Sequence, residues 1–273
     1  MRITVLAGGV GAAKFLRGLR AAVPDADITV IGNTGDDFTP FGLHVSPDLD
    51  TVMYTLGGGI NSDQGWGRDG ETRTVLTEPA RPGVTLLPMS DDPVRTHVTV
   101  ELDGRLRELH FQEWWVRLHA AVPALRIEAV GAAQARPAPG VLEAIAAADF
   151  VLFPPSNPVV SIGVILAVPG IAAAVRAQTV VGVSPIIGGA PVRGMADACL
   201  TAIGVQTTAA AVAAHYGPEL IAGWLVDTRD KDAVDAPELA GIAVRARPLY
   251  MTSVAAAAEI ARAAVELARE VRR

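Results

Sequence analysis

The sequence of 273 residues has little of several features that would assign it to a class of protein. It contains one cysteine, Cys199, so an internal disulfide is excluded, and its amino terminus lacks a basic segment followed by an apolar run. It also lacks an excess of basic residues, because the formal net charge is -6. That balance argues against a nucleic-acid partner. These absences predict a cytoplasmic protein that binds a small molecule.

Charge is missing altogether between Phe150 and Val175, a stretch long enough to suggest a membrane span. Prolines interrupt the stretch, and each of them would break a spanning helix. We therefore expect a buried strand, a loop and a buried helix here, with no membrane partner.

Short β-branched runs alternate with segments of helical spacing along the rest of the chain. Apolar runs stand at residues 2–7, 28–32, 84–89, 150–153, 179–183 and 223–226, and helices are predicted around residues 48–56, 140–148, 195–203, 207–215 and 253–270. This alternation predicts an α/β fold with a doubly wound, Rossmann-like, mostly parallel sheet, formed by residues 1–273 as a single domain. An antiparallel hairpin at residues 96–111, with an Asp103-Gly104 turn, opens an inset that extends to about residue 119.

A glycine-rich loop follows the first predicted strand and begins the first predicted helix. Gly8, Gly9, Gly11 and Lys14 fit neither the Walker motif nor the dinucleotide fingerprint. Their backbone amides would nevertheless point at an anion from the helix N-terminus, which predicts phosphate or diphosphate binding. The alternative is a tight turn without a ligand.

Acidic residues gather after the second predicted strand, at Asp36, Asp37, Asp48 and Asp50. In a doubly wound sheet this loop lies beside the glycine loop, so carboxylates and phosphates would meet. Both groups are negatively charged and would repel each other unless a divalent cation lay between them. We therefore predict Mg²⁺ held by Asp36 and Asp50, with Asp37 or Asp48 accepting a proton. The alternative is that Asp48 and Asp50 only cap a helix.

Two further loops offer polar groups at the same predicted edge. They supply Ser156, Asn157, Ser184, Gly188, Gly189 and Arg193. We predict that they bind the nucleotide part of a ligand, although structural turns would explain each loop alone. The adjacent Trp114 and Trp115 cannot share one helix face, so at least one is a candidate platform for a flat ring. The five histidines are scattered without metal spacing.

Several blocks together resemble the 2-phospho-L-lactate transferase (CofD-like) family of coenzyme F-420 biosynthesis. They are GGVGAAKFLRGL, NTGDD, GLHVSPDLDTVMYTLGGGI, LLPMSDDPVRTHV, HFQEWWVR, PSNPVVSIG and SPIIGGAPVRGMAD. The resemblance implies a Mg²⁺-dependent enzyme that moves a phosphoenolpyruvyl or 2-phospho-L-lactyl group from a guanosine diphosphate-linked donor to the deazaflavin Fo. GMP leaves. The family's metal-binding aspartates fall in NTGDD and SPDLD. We assign Asn33, His44, Trp114 and Trp115 to binding of the acceptor, and we expect a homodimer.

The chain departs from this family at a short connection around residues 71–84, where the family carries a longer segment. A non-catalytic nucleotide-sugar-binding regulatory protein of the same fold is the alternative. That branch carries a DDGGSSGRL-type run after the second strand, and this chain has GDDFTPFGLHVSPDLDT instead. A nicotinamide dehydrogenase is disfavoured by Asn33 in place of an acidic residue.

Overall fold

The computed structural model describes residues 1–60 and 83–272. The strands are β1 (Arg2–Ala7), β2 (Asp27–Gly32), β3 (Val84–Pro88), β4 (Arg95–Leu102), β5 (Arg105–His110), β6 (Arg126–Val130), β7 (Phe150–Phe153), β8 (Val180–Val183), β9 (Ile186–Ile187), β10 (Ala190–Pro191), β11 (Gly223–Val226) and β12 (Ala243–Ala246). The α-helices are α1 (Gly9–Ala22), α2 (Pro47–Gly57), α3 (Val141–Ala147), α4 (Gly163–Ala167), α5 (Ile171–Arg176), α6 (Ala196–Ala202), α7 (Ala209–Tyr216) and α8 (Val254–Glu270).

Seven parallel strands form the main sheet in the order β12-β11-β8-β7-β1-β2-β3. The chain builds outward from β1 to β3 and then returns to β7 on the other side of β1. This reversal places a switch point between β1 and β7, where loops diverge and leave a crevice at the carboxyl ends of the strands. The predicted α/β fold is therefore confirmed.

Helices cover both faces of the sheet because its central strands are apolar on both sides. Strands β7, β8 and β11 are buried at every position, as a doubly covered parallel sheet requires. Helices α1 and α8 pack on one face, and α3 to α7 contribute to the core on the other. Gly18 lets α1 approach α8 closely, since a Cβ there would lie 2.3 Å from the carbonyl carbon of Ala257.

A second sheet of three antiparallel strands, in the order β5-β4-β6, stands beside the main one. The predicted hairpin is confirmed, with Asp103 and Gly104 both at positive φ in its two-residue turn. Strand β6 was not predicted, because its alternation over five residues is weak. The small sheet has its own apolar core, which includes Trp114 and reaches Val160 and α6.

The uncharged stretch at residues 150–175 forms β7, a π-helical turn at Pro158–Ile162, α4 and the start of α5. None of the helices in the described ranges has the length and apolar character needed to cross a bilayer. The short connection around residues 71–84 lies almost wholly outside the described residues. The assignment of residues 1–273 to one domain stays a prediction.

Candidate functional site

A cavity of about 650 Å³ opens at the carboxyl edge of the main sheet, between the loops after β2 and β3 and the small sheet. Charged and titratable side chains line it, among them Asp37, His44, Arg95, His97 and His110. Three of the five histidines scattered along the sequence therefore meet in one place. Polar groups from two sheets thus converge on this cavity, which is the arrangement typical of a small-molecule site.

The turn after β2 carries Asp36 and Asp37. Asp36 is 5% exposed, and within the described residues its Oδ1 and the Oδ1 of Asp37 have no hydrogen-bond partner. The Oδ2 of Asp37 accepts a hydrogen bond from Ser46 Oγ at 2.8 Å and lies 3.1 Å from Nε2 of His44. The buried hydroxyl of Thr34 is also without a partner in the described part of the chain. Unused oxygens thus concentrate at this turn.

Asp48 is held at the N-terminus of α1 by groups of the protein itself. Asn33 Nδ2 donates to Asp48 Oδ2 at 2.9 Å, and the backbone N–H of Gly9 donates to the same carboxylate. Burial raises the pKa of Asp48 to about 6. Asp48 therefore stands where an anionic ligand of the helix would stand, and it interacts with the positive end of α1.

The four predicted aspartates affect one another electrostatically. Burial, and after it the charges of Asp48 and Asp37, raise the pKa of Asp36 well above its ordinary value. Burial also raises the pKa of Asp37, and the charge of the half-buried Asp50 adds a smaller increase. The fold therefore brings all four carboxylates close enough together to influence one another's pKa.

A cation would relieve this crowding, and the oxygens of Asp36 and Asp37 that lack partners are hard ligands of the kind that Mg²⁺ prefers. In residues 1–60 and 83–272, however, no three His, Cys, Asp or Glu side chains stand in the arrangement of a metal centre. The donor chemistry fits Mg²⁺, and the assignment of Asp36 and Asp50 as its ligands stays a prediction.

The glycine loop is tightly packed against the loop after β7. A Cβ on Gly11 would lie 2.3 Å from the carbonyl oxygen of Pro155, and one on Gly8 would lie 2.5 Å from Cβ of Ser161. The amide of Gly8 donates to Ser156 Oγ at 3.3 Å, and that hydroxyl donates back to the carbonyl oxygen of Gly8 at 2.9 Å. Close packing alone therefore explains why Gly8 and Gly11 are glycines.

The remaining predicted donor-binding residues are in three places: on α1, in the turn after β7 and in the segment after β8. Lys14 is exposed on α1, and Asn157 caps the following π-helical turn by accepting from the amides of Val159 and Val160 at 2.9 and 3.2 Å. Ser184 is buried and donates to the carbonyl oxygen of Ile186 at 2.8 Å.

Gly188 and Gly189 form the turn between β9 and β10, and Arg193 follows β10. The amide of Gly188 donates to the carboxylate of Asp230, and both glycines have positive φ. The described residues that line the 650 Å³ cavity include none of these three, nor Ser184. Their role in donor binding stays a prediction.

The predicted acceptor residues differ in how much surface they offer. Trp114 is fully buried, and its Nε1 donates to the carbonyl oxygen of Val122 at 2.8 Å, so this ring packs in the core of the small sheet. Trp115 is half-buried and keeps some surface. Asn33 is also fully buried, with its side chain holding Asp48 and the amide of Gly35. His44 is exposed at the cavity.

Sequence reasoning missed Arg95, His97 and His110 as parts of the site. Arg95 and His97 alternate with the buried Thr96 on β4, and this period of two was the available signal. His97 pairs across the hairpin with His110, and its Nδ1 contacts a carboxylate oxygen of Glu108. The sequence did not reveal that the hairpin lies against the aspartate turn.

Comparisons with known proteins give one consistent result. A family model described as 2-phospho-L-lactate transferase CofD matches residues 3–78 and 70–244. A protein named phosphoenolpyruvate transferase from Streptomyces griseus subsp. griseus is 58% identical over 317 aligned positions, which cover 100% of both chains. Its namesake from Streptomyces coelicolor is 57% identical, over 100% of this chain and 99% of its own.

The alignment of 317 positions is longer than this chain of 273 residues, so the Streptomyces griseus protein has residues that this chain lacks. The two matched blocks of the family model meet at residues 70–78, which is where the sequence predicted a shortened connection. A crystal structure of protein BH3568 from Bacillus halodurans has a TM-score of 0.64 at 18% identity, covering 97% of this chain and 99% of that one. That likeness shows the fold.

Proposed function

Since the chain belongs to the 2-phospho-L-lactate transferase CofD family and is a transferase, we propose that it makes a deazaflavin coenzyme precursor. It would transfer a phosphoenolpyruvyl or 2-phospho-L-lactyl group from a guanosine diphosphate-linked donor to Fo, with release of GMP, in coenzyme F-420 biosynthesis. The observation that carries this proposal is the full-length similarity to proteins named phosphoenolpyruvate transferase. The cavity beside the carboxylate cluster supports it.

In the proposed reaction, a hydroxyl oxygen of Fo attacks the phosphorus that carries the three-carbon acid. The bond from that phosphorus to the oxygen bridging it to GMP breaks, and GMP leaves with the bonding electrons. Such a transfer depends mainly on positioning and on neutralising negative charge. Asp36 and Asp50 would hold Mg²⁺, which when bound supplies this neutralisation at the diphosphate.

Asp37 is the better placed of the two candidate bases. Its Oδ1 has no partner within the described residues, and its side chain lines the cavity. Asp48, by contrast, is engaged by Asn33 and Gly9. We therefore assign the hydroxyl proton to Asp37, whose carboxylate is oriented through Oδ2 by Ser46 and His44.

The test is chromatography with mass detection on the purified protein incubated with Fo, Mg²⁺ and either the lactyl or the enolpyruvyl donor. The expected result is a phospho-acid adduct of Fo that disappears with a chelator and in an Asp50→Asn variant. The donor that gives more adduct is the preferred one. Absence of adduct with both donors, while guanine nucleotide still binds, would overturn the transfer and favour the regulatory binding protein.

A further inference from the structure

His110 is a half-buried side chain of the cavity to which the proposed reaction gives no role. It is the last residue of β5 and pairs with His97 of β4. Its ring centroid lies 6.4 Å from that of Phe38 and 6.1 Å from that of His97. From the end of the small sheet it therefore reaches the loop that follows the aspartate turn.

Two hydrogen bonds determine which ring nitrogen of His110 carries the proton. The backbone N–H of Gln112 donates to Nδ1 at 3.2 Å, so Nδ1 bears a lone pair. In a neutral imidazole the proton is then on Nε2, which donates to the carbonyl oxygen of Asp37 at 3.2 Å. Burial lowers the pKa of His110 and favours this neutral form.

Among the described residues, two backbone carbonyls of the turn that carries Asp36 and Asp37 accept hydrogen bonds from the small sheet. The backbone N–H of Thr96 donates to the carbonyl oxygen of Gly35 at 2.7 Å. The second is the bond from His110 to the carbonyl oxygen of Asp37, and its donor is a side chain. Because it depends on a side chain, substitution can remove it.

The Oδ1 atoms of Asp36 and Asp37 have no partner in the described part of the chain, so the protein holds these side chains through their other atoms and through the backbone of the turn. The hydrogen bond from His110 acts on that backbone, at the carbonyl between Asp37 and Phe38.

We propose that His110 is a positioning residue, whose Nε2–H bond to the Asp37 carbonyl fixes the direction in which the Asp37 carboxylate faces the cavity. The expected effect of His110 on catalysis rests on the proposed transferase function. The hydrogen bond and its effect on the conformation of the turn do not rest on it.

Three substitutions of His110 separate positioning from bulk. In His110→Gln the amide nitrogen reaches about as far as Nε2 and can donate to Asp37, whereas in His110→Asn it is too short, and His110→Leu has no donor. We expect kcat to fall about tenfold to a hundredfold in the Asn and Leu variants, because a small misplacement of catalytic groups has effects of this size. The Gln variant should stay within about threefold of wild type, by the same reasoning. KM for the donor should change little in all three.

Hydrogen exchange of the free protein, read by mass spectrometry on a peptide spanning residues 33–46, gives a measurement that needs no substrate. The amides of Asp37 and Phe38 should exchange faster in the Asn and Leu variants and at the wild-type rate in the Gln variant. These amides donate to the carbonyl oxygens of Thr34 and Val45, so their exchange rates report on whether the turn keeps its conformation. Thermal unfolding of each variant controls for global loss of structure.

Equal exchange in all three variants, or a Gln variant as impaired as the Leu variant, would overturn the positioning role. If the wild-type protein forms no adduct with either donor, the transferase proposal fails. The exchange measurement still decides whether His110 holds the turn.

Discussion

The glycine loop after β1 and the aspartate turn after β2 are neighbours at the same sheet edge, yet they use their polar groups differently. In the glycine loop the amide of Gly8 is bonded to Ser156 and that of Gly9 to Asp48. In the aspartate turn, oxygens of Asp36 and Asp37 have no partner among the described residues. Oxygens of the aspartate turn therefore stay available for hydrogen bonds to a ligand, whereas the amides of Gly8 and Gly9 in the glycine loop already bond to protein groups.

The difference has a consequence for where an anion can bind. A phosphate arriving at the Gly9 amide would have to displace the carboxylate of Asp48, which Asn33 also holds. A cation arriving at the aspartate turn would displace no protein group from the oxygens that lack partners, and it would reduce repulsion. The turn is thus the stronger candidate for ligand binding.

The largest expected effect comes from Asp36→Asn. This change removes one predicted Mg²⁺ ligand, and we expect transferase activity to fall by about a hundredfold or more, since such charge stabilisation is a major catalytic contribution. The same change relieves repulsion in the free protein, so the free energy of unfolding should rise by roughly 1 kcal/mol. Adduct formation and urea unfolding measure the two quantities. Asp25→Asn, at an exposed site, is the control.

Loss of both activity and stability in Asp36→Asn would contradict the comparison. It would mean that Asp36 supports the fold rather than a ligand.

Gly11→Ala tests whether close packing against the loop after β7 requires a glycine at this position. Its new Cβ would overlap the carbonyl oxygen of Pro155, and we expect a loss of about 2–3 kcal/mol in the free energy of unfolding without any ligand. Gly9→Ala is the matched variant, because a Cβ there meets nothing closer than 3.8 Å and the residue only has to adopt positive φ. That should cost about 1 kcal/mol. Equal losses in the two variants would argue against packing as the reason for Gly11.

Ser156→Ala removes the hydroxyl that bonds both backbone groups of Gly8. We expect a loss of about 1–2 kcal/mol, because a buried amide and a buried carbonyl lose their shared partner. Urea unfolding of the free protein checks this. An unchanged stability together with weaker nucleotide binding would instead assign Ser156 to the ligand.

Lys14→Ala has the smallest expected effect on the fold, within about 0.5 kcal/mol, because Lys14 is exposed. If the glycine loop nevertheless binds the donor's phosphates, KM for the donor should rise. Steady-state kinetics at varied donor concentration distinguish these outcomes, and Arg17→Ala, one helical turn away and also exposed, is the control. An unchanged KM would remove the donor role of Lys14.

Much of this architecture followed from local patterns. The buried strands β1, β2, β7, β8 and β11 are short apolar runs, and α8 has the apolar spacing of a helix that packs on one face. The aspartates could be placed together because consecutive parallel strands bring their following loops to one edge. The edge strand β12 was missed, since its four residues are only half-buried and include Arg245.

By itself the sequence determined the order of the central strands of the main sheet, the hairpin turn at Asp103 and Gly104, and the cluster of four aspartates, because these depend on residues close together in the chain. Tertiary structure decided which polar groups form hydrogen bonds within the protein. Ser156 reaches Gly8 across 148 positions, and His110 reaches the carbonyl of Asp37 across 73. Hydrogen bonds over such separations form only when the sheets pack, so no local pattern could show which polar groups stay available for a ligand.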